Sequence, residues 1–287
     1  MTMAPPFDQQ AFKLATRNQW EKAARGWNDQ TPQIRAWLRS ATDAMLDMAG
    51  IEPGSRVLDV AAGAGDQTLD IAKRVGPQGF VLATDLSPAI LEFAAVNARR
   101  AGHRNVETRV VDGERLQVDE ASFDAAVCRL GLMLFPDPLQ GLREMYRALK
   151  PGGGVCTMVF SRPEANPCIK IVMSTALEHA GLAPRDPYQR GGLLSLGKSE
   201  LIDAIFRDAG FKDVATTKID APFKLPSTLD YLSFIRTSAS PIQQILSKLD
   251  ASASASAWAA MGARLEVFET ASGWEGPNEL LLTAARR

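Results

Sequence analysis

Histidine is nearly missing from this chain, with two among 287 residues, His103 and His179. His103 lies in the polar stretch Gly102-His103-Arg104-Asn105 and reads as a solvated loop residue. His179 ends a helical pattern, where a cation suits the helix dipole. No Ser/His/Asp set and no metal-ligand spacing emerges, so neither a nucleophilic triad nor a bound metal is expected. Cysteine is almost as rare. Cys128, Cys156 and Cys168 have no paired spacing, which excludes a disulfide scaffold and points to buried thiols in a reducing, cytoplasmic setting. Charge of one sign is lacking too: 32 basic and 33 acidic residues leave a formal net charge of −1, with no block of like charge. Composition therefore gives no reason to expect nucleic acid or a membrane surface as partner. No apolar stretch reaches membrane-spanning length, and the opening MTMAPPFDQQ has no signal-peptide core. A G-x-x-x-x-G-K-[ST] phosphate loop is also missing.

What is there is punctuation. Before Gly50 the pattern is helical: Trp20, Ala24 and Trp27 share one face, and Ile34, Trp37, Leu38, Ala41, Met45 and Met48 share another. Thr31-Pro32 reads as a cap and first-turn pair, and Gly50 as the stop. From Arg56 to Ser161 strands alternate with helices. The strands are read as 56–61, 80–85, 106–111, 123–130 and 154–161. Gly76-Pro77, Ser87-Pro88, Asp137-Pro138 and Pro151-Gly152-Gly153 bound the helices between them. Near-continuous apolar strands in a βα alternation imply an α/β, doubly wound, parallel sheet with helices on both faces. Its ligand edge lies at the strand C-termini. Beyond Ser161 helices are expected over 167–180, 198–209 and most of 226–270, including the Ala/Ser run 251–257, with strands near 213–223 and 279–284. The organisation is thus an N-terminal helical segment (1–50), a nucleotide-binding core (51–161) and a remainder (162–287). In that remainder, insertions 167–192 and 226–270 form a substrate cap.

The stretch Val57 to Asp66, followed by Asp85, carries the chemistry. An apolar strand ends in a small-residue turn, and the next strand ends in an acid. Gly63-x-Gly65 lacks the third glycine of a dinucleotide fingerprint, since Thr68 stands there. Asp66 puts a negative charge where a pyrophosphate would sit. A ligand with an adenosine ribose and no phosphates fits better, and S-adenosylmethionine is such a ligand. Backbone N–H groups around Ala61 to Gly65 then face the ligand. Asp85 accepts from ribose hydroxyls, Ser87 being the better helix cap. Asp112-Gly113 reads the adenine edge. Arg129, unusual in an apolar strand, either lines the pocket or pairs with a nearby acid. Trp27 offers an aromatic face to a sulfonium. Tyr188 and Arg190 are candidates on the substrate side.

Val57–Asp66, Ala83–Pro88, Asp112-Gly113-Glu114, Ser122-Phe123-Asp124 and Leu149–Gly153 together resemble the successive motifs of class I S-adenosylmethionine-dependent methyltransferases. The closest likeness is to the ubiquinone/menaquinone-type, methyltransferase type 11-like, small-molecule branch. That resemblance implies a Rossmann-like, seven-stranded, mostly parallel sheet whose last strand inserts antiparallel beside the fifth. It implies S-adenosyl-L-methionine as cofactor, S-adenosyl-L-homocysteine as product, and Asp59, Gly63, Gly65, Asp85, Leu86, Asp112 and Gly113 as cofactor contacts. Ala61 stands where the family has glycine, and 129–135 matches the quinone-methylating members only in part. The implied activity is methyl transfer to a small, apolar or aromatic acceptor, by a monomer or homodimer. The alternative is an enzyme of the same fold that binds the cofactor but catalyses a non-methylating reaction such as cyclisation. No catalytic residue is assigned, because alignment and a dry pocket suffice for displacement at a sulfonium.

Overall fold

Strands β1 (Arg56–Val60), β2 (Phe80–Asp85), β3 (Val106–Val110), β4 (Phe123–Arg129) and β5 (Leu149–Phe160) run parallel, and all but the edge strand β3 are largely buried and apolar. They appear in a computed structural model that describes residues 7–287; the first six residues of the opening MTMAPPFDQQ lie outside the described residues. With β6 (Lys212–Asp220) and β10 (Glu279–Arg286) they form a seven-stranded sheet of order β3-β2-β1-β4-β5-β10-β6. The last strand, β10, is antiparallel to both neighbours, placing Leu281 between Val159 and Lys218. The edge strands β3 and β6 carry charges and threonines, which discourages pairing with another sheet.

Helices α3 (Asp66–Val75), α4 (Pro88–Arg100) and α5 (Pro138–Ala148) make the crossovers. The strand order reverses between β1 and β4. Right-handed crossovers therefore put α3 and α4 on one face and α5 on the other. The N-terminal helices α1 (Gln9–Asp29) and α2 (Thr31–Met48) join the first face, α2 beside α3 and α1 across α4. Gly50, at φ +70°, ends α2 as expected. Thr31 is no cap: it is the first residue of α2, and Gln30 precedes it without a side-chain bond, because α1 runs almost directly into α2. Ser87 and Asp137 do cap α4 and α5, accepting from the N–H of Ile90 and Gln140.

Helix α6 (Pro167–His179) leads to α7 (Ser199–Asp208), which packs beside α5. The strand expected over 213–223 is interrupted at Ala221-Pro222, since proline has no N–H to give a ladder. The indole N–H of Trp37 donates to the Ala221 carbonyl at 2.7 Å, and its ring stacks on Phe223. Past the break, β7 (Phe223–Leu225) pairs in a separate small sheet with β9 (Gly273–Gly276), which also pairs with β8 (Glu269–Thr270). The sequence shows no sign of this sheet, because its strands are too short for a periodic pattern. Helices α8 (Thr228–Ser238), α9 (Ser240–Leu246) and α10 (Ala251–Leu265) fill the span between, and the Ala/Ser run is helical. Gly26 of α1 lets the Thr237 carbonyl of α8 come within 2.4 Å of where a Cβ would stand. Helix α1 therefore bridges α4 and the C-terminal helices.

Gly65 begins α3 at φ +83°, and a Cβ there would lie 2.7 Å from the Ala94 Cβ and 2.9 Å from its Cα. Gly65→Ala is expected to lower stability by about 1–3 kcal/mol in urea unfolding, from overpacking and left-handed strain. Ala94→Gly should recover the packing share of that loss; a neutral Gly65→Ala contradicts the assignment.

Candidate functional site

At the C-terminal edge of the sheet the turn after β1 leaves the strand through Ala61, at φ +56°, and Gly63, at φ +59°. Beside it Leu130, the residue after β4, is also left-handed at φ +57°. Non-glycine residues rarely adopt this conformation, and two of them flank one cleft. Ala61 fits because its neighbour is Gly131: a Cβ on Gly131 would stand 2.4 Å from the Ala61 Cβ. The cleft is walled by residues between Lys13 and Pro136.

Ala61, Gly63, Asp85, Leu86, Asp112, Gly113, Arg129 and Trp27 all line this cleft. Two of the expected contacts do not. Asp59 is fully buried beneath the turn, accepting from the Thr68 hydroxyl at 2.6 Å and the Gln67 amide at 3.1 Å. It fastens the first turns of α3 to β1 from below. Gly65 is turned toward α4, and its need for glycine comes from Ala94. Tyr188 and Arg190 lie outside the wall as well: Lys198 sits over the Tyr188 ring, and Arg190 over Phe7.

The polar groups form a row. Asp85, at the end of β2, accepts from the N–H of Gly63 at 3.0 Å and of Ser87 at 2.9 Å. Burial pushes its carboxyl up, against those bonds and one from Leu86. One strand further out, Asp112 accepts from the Glu114 N–H at 2.9 Å and from the Lys13 ammonium at 2.6 Å. Lys13 also pairs with Glu114. Burial lowers the pKa of Lys13 less than these two acids raise it, so its net shift is upward. Gly113 must be glycine, since a Cβ would meet the Phe135 ring at 2.4 Å. In the other direction, at the end of β4, Arg129 donates to Asp66 at 2.5 Å and to the Thr42 hydroxyl at 3.1 Å. Asp66 therefore does not present a bare negative charge, and its force against a pyrophosphate is weaker than the sequence implies. Thr68 keeps its force: its hydroxyl is committed to Asp59, where a dinucleotide turn needs glycine.

The Trp27 indole lies over Gly63: its nitrogen would be in contact with a Cβ there, 3.5 Å away. Trp20 meets Trp27 edge-on at 5.2 Å, and both roof the cleft from α1. A bare backbone under an aromatic roof, with carboxylates on successive strand ends, fits an adenosine-type ligand carrying a cation. Trp20 and Glu114 also line the cleft, as do Lys13, Thr16, Gln67 and Phe135, which no sequence motif singles out for it. Lys13 is 99 residues from Asp112, and no local spacing could have joined them. Among the described residues no group of three or more His, Cys, Asp and Glu side chains is placed to hold a metal, and no helix is long and apolar enough to cross a membrane. All three cysteines are buried, with the Cys128 and Cys168 thiols pushed up to about 12 by burial.

Burial pushes the Asp59 carboxyl up to about 7 from 3.8, against its bonds from Thr68 and Gln67 and the field of Arg129. Between those values the folded state holds a proton that the unfolded chain has lost. Stability from this group is therefore greatest at low pH and falls as pH rises from about 4 to about 7, by a few kcal/mol. Asp59→Asn should flatten the urea midpoint over that window relative to the unsubstituted chain. Parallel pH curves contradict this.

The model of the ubiE/COQ5 methyltransferase family matches residues 33–178, just over half of the chain. A ubiquinone/menaquinone biosynthesis C-methyltransferase UbiE from Idiomarina loihiensis is 37% identical over 130 residues, covering 45% of this chain and 50% of that protein. Its counterpart from Cronobacter sakazakii is 31% identical over 189 residues, covering 63% of this chain and 74% of that protein. The chain thus spans about half the length of the first of these curated relatives. The YcgJ protein from Bacillus subtilis shares the fold, with a TM-score of 0.60 at 18% identity, covering 87% of this chain and 98% of that one. By its family match, the chain belongs to the ubiE/COQ5 methyltransferase family.

Proposed function

We propose that this chain binds S-adenosylmethionine along the C-terminal edge of its sheet and methylates a small, apolar or aromatic acceptor of quinone type. The observation that carries the cofactor is the row of acids on successive strands, Asp112 beyond β3 and Asp85 on β2, facing one cleft with the bare Gly63 turn. Membership of the ubiE/COQ5 family and the C-methyltransferase relatives support the reaction and the acceptor class.

The cofactor supplies a methyl group already activated on a positive sulfonium. The chain's own residues hold and align. Asp112 and the Gly113 backbone take the adenine, which requires Lys13 to share Asp112. Asp85 accepts from the ribose hydroxyls, Leu86 packs on the base, and Ala61 and Gly63 let the backbone approach. Trp20 and Trp27 give the sulfonium an aromatic face and keep water out. Asp59 and Gly65 act one layer below, fixing the turn. Segment 1–50 roofs the cleft, 51–161 holds the cofactor, and 162–287 reaches it through α1, which packs on α8 and α9. The insertions 167–192 and 226–270 form the acceptor-side cap.

Titration calorimetry with S-adenosylhomocysteine tests the cofactor. Asp85→Ala should weaken binding about 10- to 100-fold, the worth of lost charge-assisted bonds of roughly 1.5–3 kcal/mol. No heat from the unsubstituted chain at millimolar ligand overturns the proposal. Transfer of radiolabelled methyl to a reduced quinone tests the reaction.

A further inference from the structure

Lys13 belongs to no motif and comes from α1, yet its ammonium stands at the β3 end of the cleft, between two acids. It donates to Asp112 at 2.6 Å and pairs with Glu114. Both acids have other donors: Asp112 also accepts from the Glu114 N–H, and Glu114 accepts from the Asp137 N–H at 2.7 Å. Helix α1 is held elsewhere too. Asn28 accepts from Asn97 at 3.0 Å, and Gly26 abuts the Thr237 carbonyl, about 20 Å further along the helix. Next to Lys13, the Phe12 ring fills the place of a side chain at Gly191. The ammonium is thus set at a fixed point. One of its three N–H donors remains once the two acids are served.

What a ligand must offer follows from the chemistry of the pair. Asp112 presents an acceptor, and Lys13 beside it presents a donor. One edge of adenine carries the complementary set, the N6 amino donor next to the N7 acceptor. An Asn or Gln amide reads that edge with its own neighbouring oxygen and nitrogen. On the other side of N6 lies the N1 acceptor, the side left to the Gly113 backbone. The base therefore offers acceptor, donor, acceptor, and the Gly113 N–H, Asp112 and Lys13 offer donor, acceptor, donor. A carboxylate oxygen has two lone pairs, so Asp112 serves the ammonium and the amino group at once.

We propose that Lys13 is a specificity-determining residue for the base of the cofactor, its remaining N–H donating to adenine N7 while Asp112 accepts from N6. The inference rests on the cofactor assignment above and adds to it a contact made from α1, outside the sheet. A base with a C–H in place of N7 leaves that donor facing no acceptor, and an unmade bond to a charged group is costly.

The experiment is calorimetric titration of the full chain with S-adenosylhomocysteine and with its 7-deaza analogue, in which a C–H replaces N7 and the rest of the ligand is unchanged. The variant is Lys13→Met, which keeps an apolar stem of similar length and removes the donors. The unsubstituted chain should prefer S-adenosylhomocysteine by at least about tenfold, one hydrogen bond from a charged donor. In Lys13→Met that preference should fall to within about twofold, whatever the common change in affinity for both ligands. A smaller preference in the unsubstituted chain, or one that survives in Lys13→Met, overturns the proposal. Should Lys13→Met be unfolded by circular dichroism or bind neither ligand, the nitrogen-15 resonance of N7 in labelled S-adenosylhomocysteine on the unsubstituted chain decides. An upfield move on binding supports a donor at N7, and an unmoved resonance overturns it. Equal binding of both ligands by the unsubstituted chain overturns the role of Lys13 alone; binding of neither overturns the cofactor assignment with it.

Discussion

A carboxylate buried without a cation bonded to it, Asp59, holds the ligand edge in shape. Its bonds from Thr68 and Gln67 tie the start of α3 to the end of β1. Between those anchors the chain must reverse in five residues, and it does so through left-handed Ala61, Gly63 and Gly65. Burying such a group costs free energy unless its oxygens are satisfied. Both are, and the remaining penalty appears as the upward shift of its pKa. Asp85 closes the same turn from the side by accepting from Gly63. The open backbone of the cleft is thus a consequence of two acids, one below it and one beside it.

Around that turn the charges are distributed so that the cleft has distinct ends. Lys13 with Asp112 and Glu114 marks the β3 end, and Arg129 with Asp66 the β4 end. The middle is bare backbone under Trp20 and Trp27. Helix α1 supplies Lys13 and both tryptophans, and it packs on α8 and α9. Helix α1 is thus the element shared by the cleft and the C-terminal helices.

Much of this is legible in the amino-acid sequence alone. The strands of the core, the Ser87 and Asp137 caps and the stop at Gly50 follow from local patterns, and local patterns are what a sequence displays. The row of ligand-edge acids is legible too, because a strand ending in an acid is a short-range signal. What escapes depends on distance along the chain. The motif resemblance puts Asp59 at the ligand, but its partners Gln67 and Thr68 turn it inward. The same resemblance puts Gly65 at the ligand, and Ala94, 29 positions on, explains it instead. Ala61 departs from glycine without harm because Gly131, on another strand's exit, gives up its own Cβ. The small sheet of β7, β8 and β9 escapes for a different reason: strands of two to four residues carry no period.

The most direct measurement is a crystal structure of the chain grown with S-adenosylhomocysteine. The account predicts adenine beside Asp112 and Gly113, both ribose hydroxyls within hydrogen-bonding distance of Asp85, and the thioether over the Gly63 turn beneath Trp27. Ligand bound elsewhere, or in this cleft with its ribose away from Asp85, would contradict it.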